Sequence, residues 1–501
     1  MTALIHRDPT VAADSVLEDR VKQAILTARS AQVNWSALPL AIRLKKLRCV
    51  RALMAEQSIA LAESAATFRP RSIAEILTSE VLPLAEACRF LERTARKTLQ
   101  PRRLGPRGRP FWLGGLRSEI HREPHGVVLL IGPGNYPLFL PGVQMLQALA
   151  AGNAVLIKPG HGGGPAAAAL ARLLANAGLD SNLCQVLPEK PAAAQAAIRC
   201  GVDKVFLTGN TTTGEAVLHQ CAATLTPATV ELSGCDALIV RADADLDLVV
   251  RSLAFGLRLN GSATCIAPRR VLVHPTRMAE LADRLSRRFP PDKNADDTLP
   301  PNPHLAELLR ETLAAGARLL TGSIASDGSL RMPLIFTGVT PGMRLVREDI
   351  FAPVLSLLTV ANDEEAIAFA AQCPYALSAT LFSSDEAAAR SLAARLRVGG
   401  VIINDVIVPT ADPRLPFGGR GRSGFGVTRG SEGLLEMTAP KVLSVRRGKA
   451  RPHLDAPHAG DAALFTGYIR AAHGRGWRAR WQGLTQILKS LKHRSNSTDH
   501  T

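Results

Sequence analysis

The chain has 501 residues, 46% of them hydrophobic and 21% charged. That length exceeds one simple core and predicts two or three domains, and the apolar share excludes a disordered chain. Lysines and arginines outnumber acids 60 to 43, a formal net charge of +17, which suits nucleic acid, anionic lipid or phosphorylated ligands without singling out any of them.

Taken in chain order, Met1–Asp8 lacks the apolar core of a signal peptide. No run in the sequence reaches the ~18 apolar residues of a membrane helix, so a soluble, cytoplasmic protein is expected. Residues 11–99 read as helices. Leu44, Leu47, Val50, Leu53 and Met54 recur at three and four spacings, and Ile73, Ile76, Leu77, Val81 and Leu84 form a second such face. Residues 101–118 turn basic and rich in proline and glycine, with Phe111 and Trp112 among five arginines. Basic and aromatic residues together can grip single-stranded nucleic acid. No recognised nucleic-acid motif accompanies them, so a linker or protruding hairpin is expected.

From His125 the pattern changes. Residues 126–132 form a continuous apolar run, as in a buried parallel strand. Further strands are expected at 154–157, 185–187 and 204–207, with helices at 138–151, 165–177 and 213–221 between or after them. After Gly234 the alternation resumes. Strands are expected at 237–240, 270–273, 354–358 and 401–403, helices at 245–258, 276–288, 364–371 and 385–396, and a surface loop at 289–303. Strands alternating with helices predict parallel α/β sheets, which bind ligands at the C-terminal ends of their strands. Residues 442–445 read as a final strand. Beyond Lys449 the composition changes: Phe465, Ile469, Trp477, Trp481, Leu484 and Leu488 alternate with arginines and lysines. That predicts a basic amphipathic helix over 464–494, suited to an anionic membrane surface or to capping the domain.

Three stretches carry chemistry. Asn260-Gly261-Ser262-Ala263-Thr264-Cys265-Ile266-Ala267-Pro268 holds one cysteine among small residues that leave its sulfur accessible. Glu231 is the one carboxylate in the apolar run 230–234, and Asn135 sits in the turn after the strand at 126–132. A thiol, a general base and an amide donor are the parts that thiol attack on a carbonyl needs. Each has a plainer counterpart: a packed thiol, a structural carboxylate, a turn asparagine. The other cysteines, Cys49, Cys88, Cys184, Cys200, Cys221, Cys235 and Cys373, form no C-x-x-C pair, so no metal site is expected and a reducing compartment fits. Cys235, near Glu231, is expected to be packing.

In order, G-N-Y-P, I-K-P, T-G-N, E-L-S-G, T-C-I-A-P, E-D-I-F-A-P-V and P-F-G-G-R-G-R-S-G resemble the aldehyde dehydrogenase superfamily, closest in flavour to the class that oxidises fatty and aromatic aldehydes. The resemblance implies two Rossmann-type parallel-sheet domains with a small β oligomerisation arm. It places the dinucleotide-binding domain at 1–100 and 124–233, the catalytic domain at 234–425, the arm at 101–123 and 426–448, and a basic tail at 449–501. It implies NAD or NADP as cofactor, an aldehyde as substrate and a homodimer or tetramer. Cys265 would be the nucleophile, Glu231 the base for thioester hydrolysis, and Asn135 with the Cys265 backbone N–H the oxyanion donors. Lys158, Gly209, Asn210, Asp349 and Phe351 would hold the cofactor. Four departures stand out. Gly134 replaces an aromatic residue, which predicts a wider substrate tunnel. Asn210 replaces a serine, and Asp349 is shorter than the usual glutamate. His161 stands where many NAD-preferring members carry an acid, which predicts dual NAD and NADP use. The rival functions are a CoA-acylating enzyme on the same chemistry and a non-catalytic basic binding protein on the same fold.

Overall fold

The computed structural model describes residues 9–66, 71–290, 298–299, 302–325, 329–449, 451–454, 456 and 460–498. The N-terminal segment Met1–Asp8 and most of the loop expected at 289–303 lie outside them. Residues up to Arg102 together with Ile120–Val442 form one compact unit, and Arg103–Glu119 with Leu443 onward form a second.

In the first unit the helices predicted before residue 100 are Pro9–Ala37, Leu40–Glu56, Ser58–Ala65 and Ile73–Ile76, the last running on through a π-helical turn, Leu77–Val81, into Leu82–Leu99. Their apolar faces bury Val21, Ile25, Leu47, Leu84 and Leu91 in one cluster with Val127–Ile131. That strand is central in a six-stranded sheet. Its spatial order is Gly424–Phe425, Ala228–Glu231, Lys204–Thr208, Val127–Ile131, Ala154–Lys158 and Cys184–Val186. All pairs are parallel except the antiparallel edge at Gly424–Phe425. Helices cover both faces of such a sheet, which is why every residue of Val127–Ile131 is apolar and buried. The chain goes to one side of Val127–Ile131 and then returns on the other at Lys204–Thr208. That reversal opens a crevice at the strand ends, where α/β sheets bind ligands.

The second sheet has eight strands. Leu330–Thr337, Val354–Thr359, Pro268–Val273, Asp236–Val240, Ser378–Phe382 and Gly400–Ile403 are parallel neighbours in that order. Thr298–Leu299 and Arg318–Ile324 pair antiparallel with Leu330–Thr337. Both sheets are therefore mixed and mostly parallel. Three of these strands have no clear sequence signal. Pro333 interrupts Leu330–Thr337, and proline ordinarily argues against a strand interior. Ser378 and Thr380 break the apolar run of Ser378–Phe382 although all five positions are buried. Arg318–Ile324 is a half-exposed edge with register shifts.

A three-stranded sheet, ordered Arg102–Leu104, Leu116–Pro124, Thr438–Arg446, provides the hairpin expected in the basic segment. Val442, Leu443 and Val445 on its outer strand are exposed. The tail forms two helices, Asp461–His473 and Trp477–Thr498, in place of the single amphipathic helix predicted. Gly474 leaves helical geometry at the first C-terminus, and Gly476 takes a φ of 85°. The two helices pack closely where Gly467 and Gly483 meet, since a Cβ on either would press into the other's backbone. Phe465, Ile469, Trp477, Trp481, Leu484 and Leu488 remain exposed. Among the described residues, no helix is long and apolar enough to cross a membrane.

Candidate active site

Cys265 lies in the loop between helix Leu246–Arg258 and strand Pro268–Val273. Asn260, Gly261 and Ser262 take left-handed φ angles of 52°, 56° and 62°. Such geometry costs roughly 1–2 kcal/mol at a non-glycine residue, so the surroundings must impose it. Buried Arg269 donates to Ser262 Oγ at 2.6 Å and to its carbonyl at 2.5 Å. Asn260 N donates to Glu75 Oε1 at 2.8 Å, and Asn260 Nδ2 to the Asn135 carbonyl at 2.9 Å. Thr264 Oγ1 and the Tyr136 hydroxyl lie 2.6 Å apart. Gly234 lets the loop close down, because a Cβ there would collide with the Cys265 carbonyl. The outcome is a rigid turn in which Ala263, Ile266 and Ala267 are buried and Cys265 stays partly exposed.

Glu231 ends its strand beside this turn. Its Oε1 accepts from Cys265 Sγ at 3.7 Å, and its Oε2 from Thr208 Oγ1 at 3.5 Å. The glycine-rich segment after Phe417 fixes this strand end. Leu232 N donates to the Ser423 carbonyl at 3.1 Å, and Ser423 Oγ to the Ser233 carbonyl at 2.6 Å. Gly424, at φ 92°, passes so close to Val230 that a Cβ would collide with its carbonyl. Burial pushes the Glu231 carboxyl up, opposed first by the charge of Arg429. Burial also pushes the Cys265 thiol well up, and the Glu231 charge adds to it. The resting pair is therefore a thiol donating to a carboxylate that is itself a stronger base than an exposed one.

Asn135 follows the central strand of the first sheet. Its Nδ2 donates to the Ala263 carbonyl at 2.8 Å, and its Oδ1 accepts from Tyr136 N at 3.0 Å. A side-chain amide carries two N–H bonds, so one remains for another acceptor. The turn is held from behind by Glu80, which is 0% exposed and accepts from Leu138 N at 2.8 Å and Phe139 N at 3.1 Å. Glu80 also pairs with Arg71, whose guanidinium lies 5.6 Å from the Tyr136 ring centre. Thus the three predicted reacting residues converge from two sheets onto one place. Cys235 does not join them. It is 1% exposed, and its carbonyl accepts from Arg270 Nε at 2.9 Å.

Residues 6–443 match the sequence model of the aldehyde dehydrogenase family. The chain belongs to that family. It is 30% identical to a 4,4'-diapolycopene aldehyde oxidase from Methylomonas sp. over 84% of this chain and 80% of the relative. It is 34% identical to a dimeric NADP-preferring aldehyde dehydrogenase from Rattus norvegicus over 62% of this chain and 70% of that one. The crystal structure of an NAD-dependent aldehyde dehydrogenase from Sinorhizobium meliloti superposes with a TM-score of 0.78 at 29% identity, covering 87% of this chain and 88% of the other. The activity class is NAD(P)-dependent aldehyde oxidation, and the fold is that of the aldehyde dehydrogenases.

The residues at the crevice of this aldehyde dehydrogenase fit a dinucleotide. Asp349 Oδ1 is buried without a hydrogen-bond partner, and burial lifts its carboxyl to about 6. An orphaned acceptor of this kind is what a ribose hydroxyl would satisfy. Phe351 stays exposed close by in sequence. Lys158, half-buried at the end of its strand, is pulled down by burial. Gly209 N donates to the Glu231 carbonyl at 3.1 Å, tying the T-G-N turn to the base. Asn210 is exposed and caps helix Thr211–Thr224, accepting from Thr213 N at 2.8 Å, so one helix N-terminal donor is already used.

Two of the departures take on a different meaning in three dimensions. A Cβ at Gly134 would lie 2.8 Å from the His161 carbonyl, so the glycine admits close packing of two turns. Beside His161 stands Glu189, accepting from Gly162 N at 2.9 Å and Gly164 N at 2.8 Å. The Gly162 bond foremost holds its carboxyl below the ordinary range. An acid from the loop after strand Cys184–Val186 thus stands beside position 161. Its neighbours in sequence, Leu-Pro and Lys-Pro, give no hint of that contact.

Proposed function

We propose that the protein oxidises apolar aldehydes to carboxylic acids through Cys265, Glu231 and Asn135, with NAD or NADP accepting the hydride. The observation that carries this reading is the 3.7 Å contact of Cys265 Sγ with Glu231 Oε1 beside the Asn135 turn. Cys265 gives its proton to Glu231, which passes it to solvent before hydrolysis, and its sulfur bonds the aldehyde carbon. The carbonyl oxygen becomes an oxyanion, held by the second N–H of Asn135. A preorganised donor of this kind is worth roughly 3–4 kcal/mol. As the oxyanion re-forms its double bond, the carbon loses hydride and a thioester remains on Cys265. Lys158, Gly209, Asn210, Asp349 and Phe351 would bind the dinucleotide, whose nicotinamide ring supplies the hydride-accepting chemistry. Glu231 then takes a proton from water. The hydroxide adds to the thioester, the C–S bond breaks, and acid and thiol are released.

Ile266, Ile407, Phe255, Leu259 and Phe417 cluster with Cys265, which supports an apolar aldehyde. The test is reduced-nicotinamide absorbance with aldehydes of increasing chain length and both cofactors. No aldehyde-dependent signal at any length would end the proposal, and a preference for short polar aldehydes would end its substrate class.

Glu189 supports a preference for NAD over equal use, since its carboxylate near Lys158 repels a 2′-phosphate. Glu189→Gln is expected to raise kcat/KM for NADP relative to NAD by about fivefold, the scale of one partly exposed charge contact. An unchanged ratio in steady-state kinetics would remove Glu189 from cofactor choice.

The exposed outer strand Thr438–Arg446 supports pairing with a second copy, a homodimer or tetramer. A monomer in sedimentation velocity at micromolar concentration would count against it. The exposed aromatic and aliphatic residues of the two tail helices, set among arginines and lysines, support peripheral contact with anionic lipid. The full chain is expected to co-sediment with phosphatidylserine vesicles, and a chain truncated after Lys449 to stay in solution. Equal partitioning of the two would refute the contact.

A further inference from the structure

One cation inside the site takes no part in the steps above. Arg429 follows Thr428, whose backbone N–H and carbonyl pair with those of Phe417. At φ 64° it turns its side chain inward, and only 6% of the residue is exposed. Its guanidinium lies 4.1 Å from the Phe417 ring centre and 5.6 Å from that of Phe139. One N–H donates to the Thr410 carbonyl, while Nε is buried with no partner. Arg429 makes no salt bridge among the described residues. A buried guanidinium without a carboxylate partner is expensive, so its charge must be used elsewhere.

The Phe417 ring under that guanidinium packs in the apolar cluster that also holds Cys265, and the acids that feel the charge are Glu231 first and Cys265 after it. Cys265 also faces the acids Asp236 and Asp349, the cation Arg269 and the Tyr136 hydroxyl. Glu231 faces Thr208 and Cys265 besides Arg429. Two acids this close resist ionising together, and Cys265 Sγ already donates to Glu231, so the pair holds at most one negative charge.

We propose that Arg429 is the counter-cation of the Cys265–Glu231 pair, holding one negative charge and one shared proton on the two side chains at neutral pH. The inference rests on Cys265 and Glu231 being the reacting groups. Arg429 is then a positioning residue. Its charge acts on Glu231 first and on Cys265 second, so it lowers the cost of one negative charge wherever the shared proton sits. Once sulfur is bound in the thioester, its field falls on Glu231 alone and keeps that carboxylate ionised for water.

The test is the pH dependence of Cys265 alkylation by iodoacetamide, with the modified peptide identified by mass spectrometry. Arg429→Met is expected to slow alkylation about tenfold at pH 7 and to move its midpoint up by about one pH unit, which is that same factor. Arg429→Lys should keep the midpoint within about half a unit, because it restores the charge without the fork. Glu231→Gln should lower the midpoint, since Arg429 then acts on sulfur alone, and the double variant should lose that gain. An unchanged midpoint in Arg429→Met overturns the inference. So does a midpoint in Arg429→Lys as high as in Arg429→Met. Should Arg429→Met fail to melt cooperatively, Arg429→Lys decides alone: a retained midpoint supports the inference and a raised one overturns it. Wild-type protein that oxidises no aldehyde would instead overturn the function on which the inference stands.

Discussion

Cys265→Ala is expected to lower aldehyde oxidation by about 10⁴-fold or more, the scale seen when a covalent nucleophile is removed from a preorganised site. Without the sulfur there is no tetrahedral adduct, and an aldehyde in its hydrated form is a poor hydride donor to a ring positioned for that adduct. The fold should hold. Cys265 is partly exposed, its turn is fixed by Arg269, Asn260 and Tyr136, and none of those bonds uses the sulfur. Dinucleotide binding, read by quenching of protein fluorescence, should therefore survive in the inactive variant. Cys235→Ala should keep activity, since that thiol is buried just before strand Asp236–Val240 and away from the reacting pair. Residual turnover above a tenth of wild type in Cys265→Ala would assign the chemistry to another group.

The contrast between these two cysteines shows what the sequence can and cannot carry. Parallel strands buried on both faces must be continuous apolar runs, so Val127–Ile131, Ala154–Lys158 and Asp236–Val240 are legible within a residue or so at each end. Cys265, Glu231 and Asn135 are legible because each sits in a short string whose neighbours are constrained by the same geometry. Gly234 must clear the Cys265 carbonyl, and Gly424 must clear Val230. The supporting charges are not legible, because their partners are distant in sequence. Glu80 lies on the same helical face as Ile76 and Leu84, where a lone acid in an apolar stripe was the available signal. Its meaning depends on Arg71 and on the backbone of Leu138, 58 residues away. Glu189 stands beside His161 only because two loops at strand ends meet. Arg429 reads as one more arginine in a basic chain until burial isolates it. The tail shows the opposite failure. Its composition predicts one amphipathic helix, yet Gly474 and Gly476 divide it and Gly467 and Gly483 fold it back.

Glu231→Gln is expected to slow the release of acid by about 10²–10⁴-fold, the range for losing a general base, while leaving thioester formation fast. The glutamine oxygen can still accept from Cys265 Sγ, and Arg429 then faces the sulfur with no competing carboxylate. Mixing this variant with aldehyde and cofactor should give one rapid turnover of reduced nicotinamide followed by a slow rate, with an acyl mass on the Cys265 peptide. In the wild type, burial raises the carboxyl, so Glu231 is protonated, and useless as a base, at the lower pH values where an exposed glutamate would already be ionised. Hydrolysis should therefore rise with pH through that raised value, and the rise should vanish in Glu231→Gln. A burst-free variant with normal steady turnover would show that Glu231 does not activate the water. Coenzyme A separates the remaining rival: if wild type releases acyl-CoA faster than acid, the thioester is resolved by a thiol, and the buried carboxylate serves only the first half of the reaction.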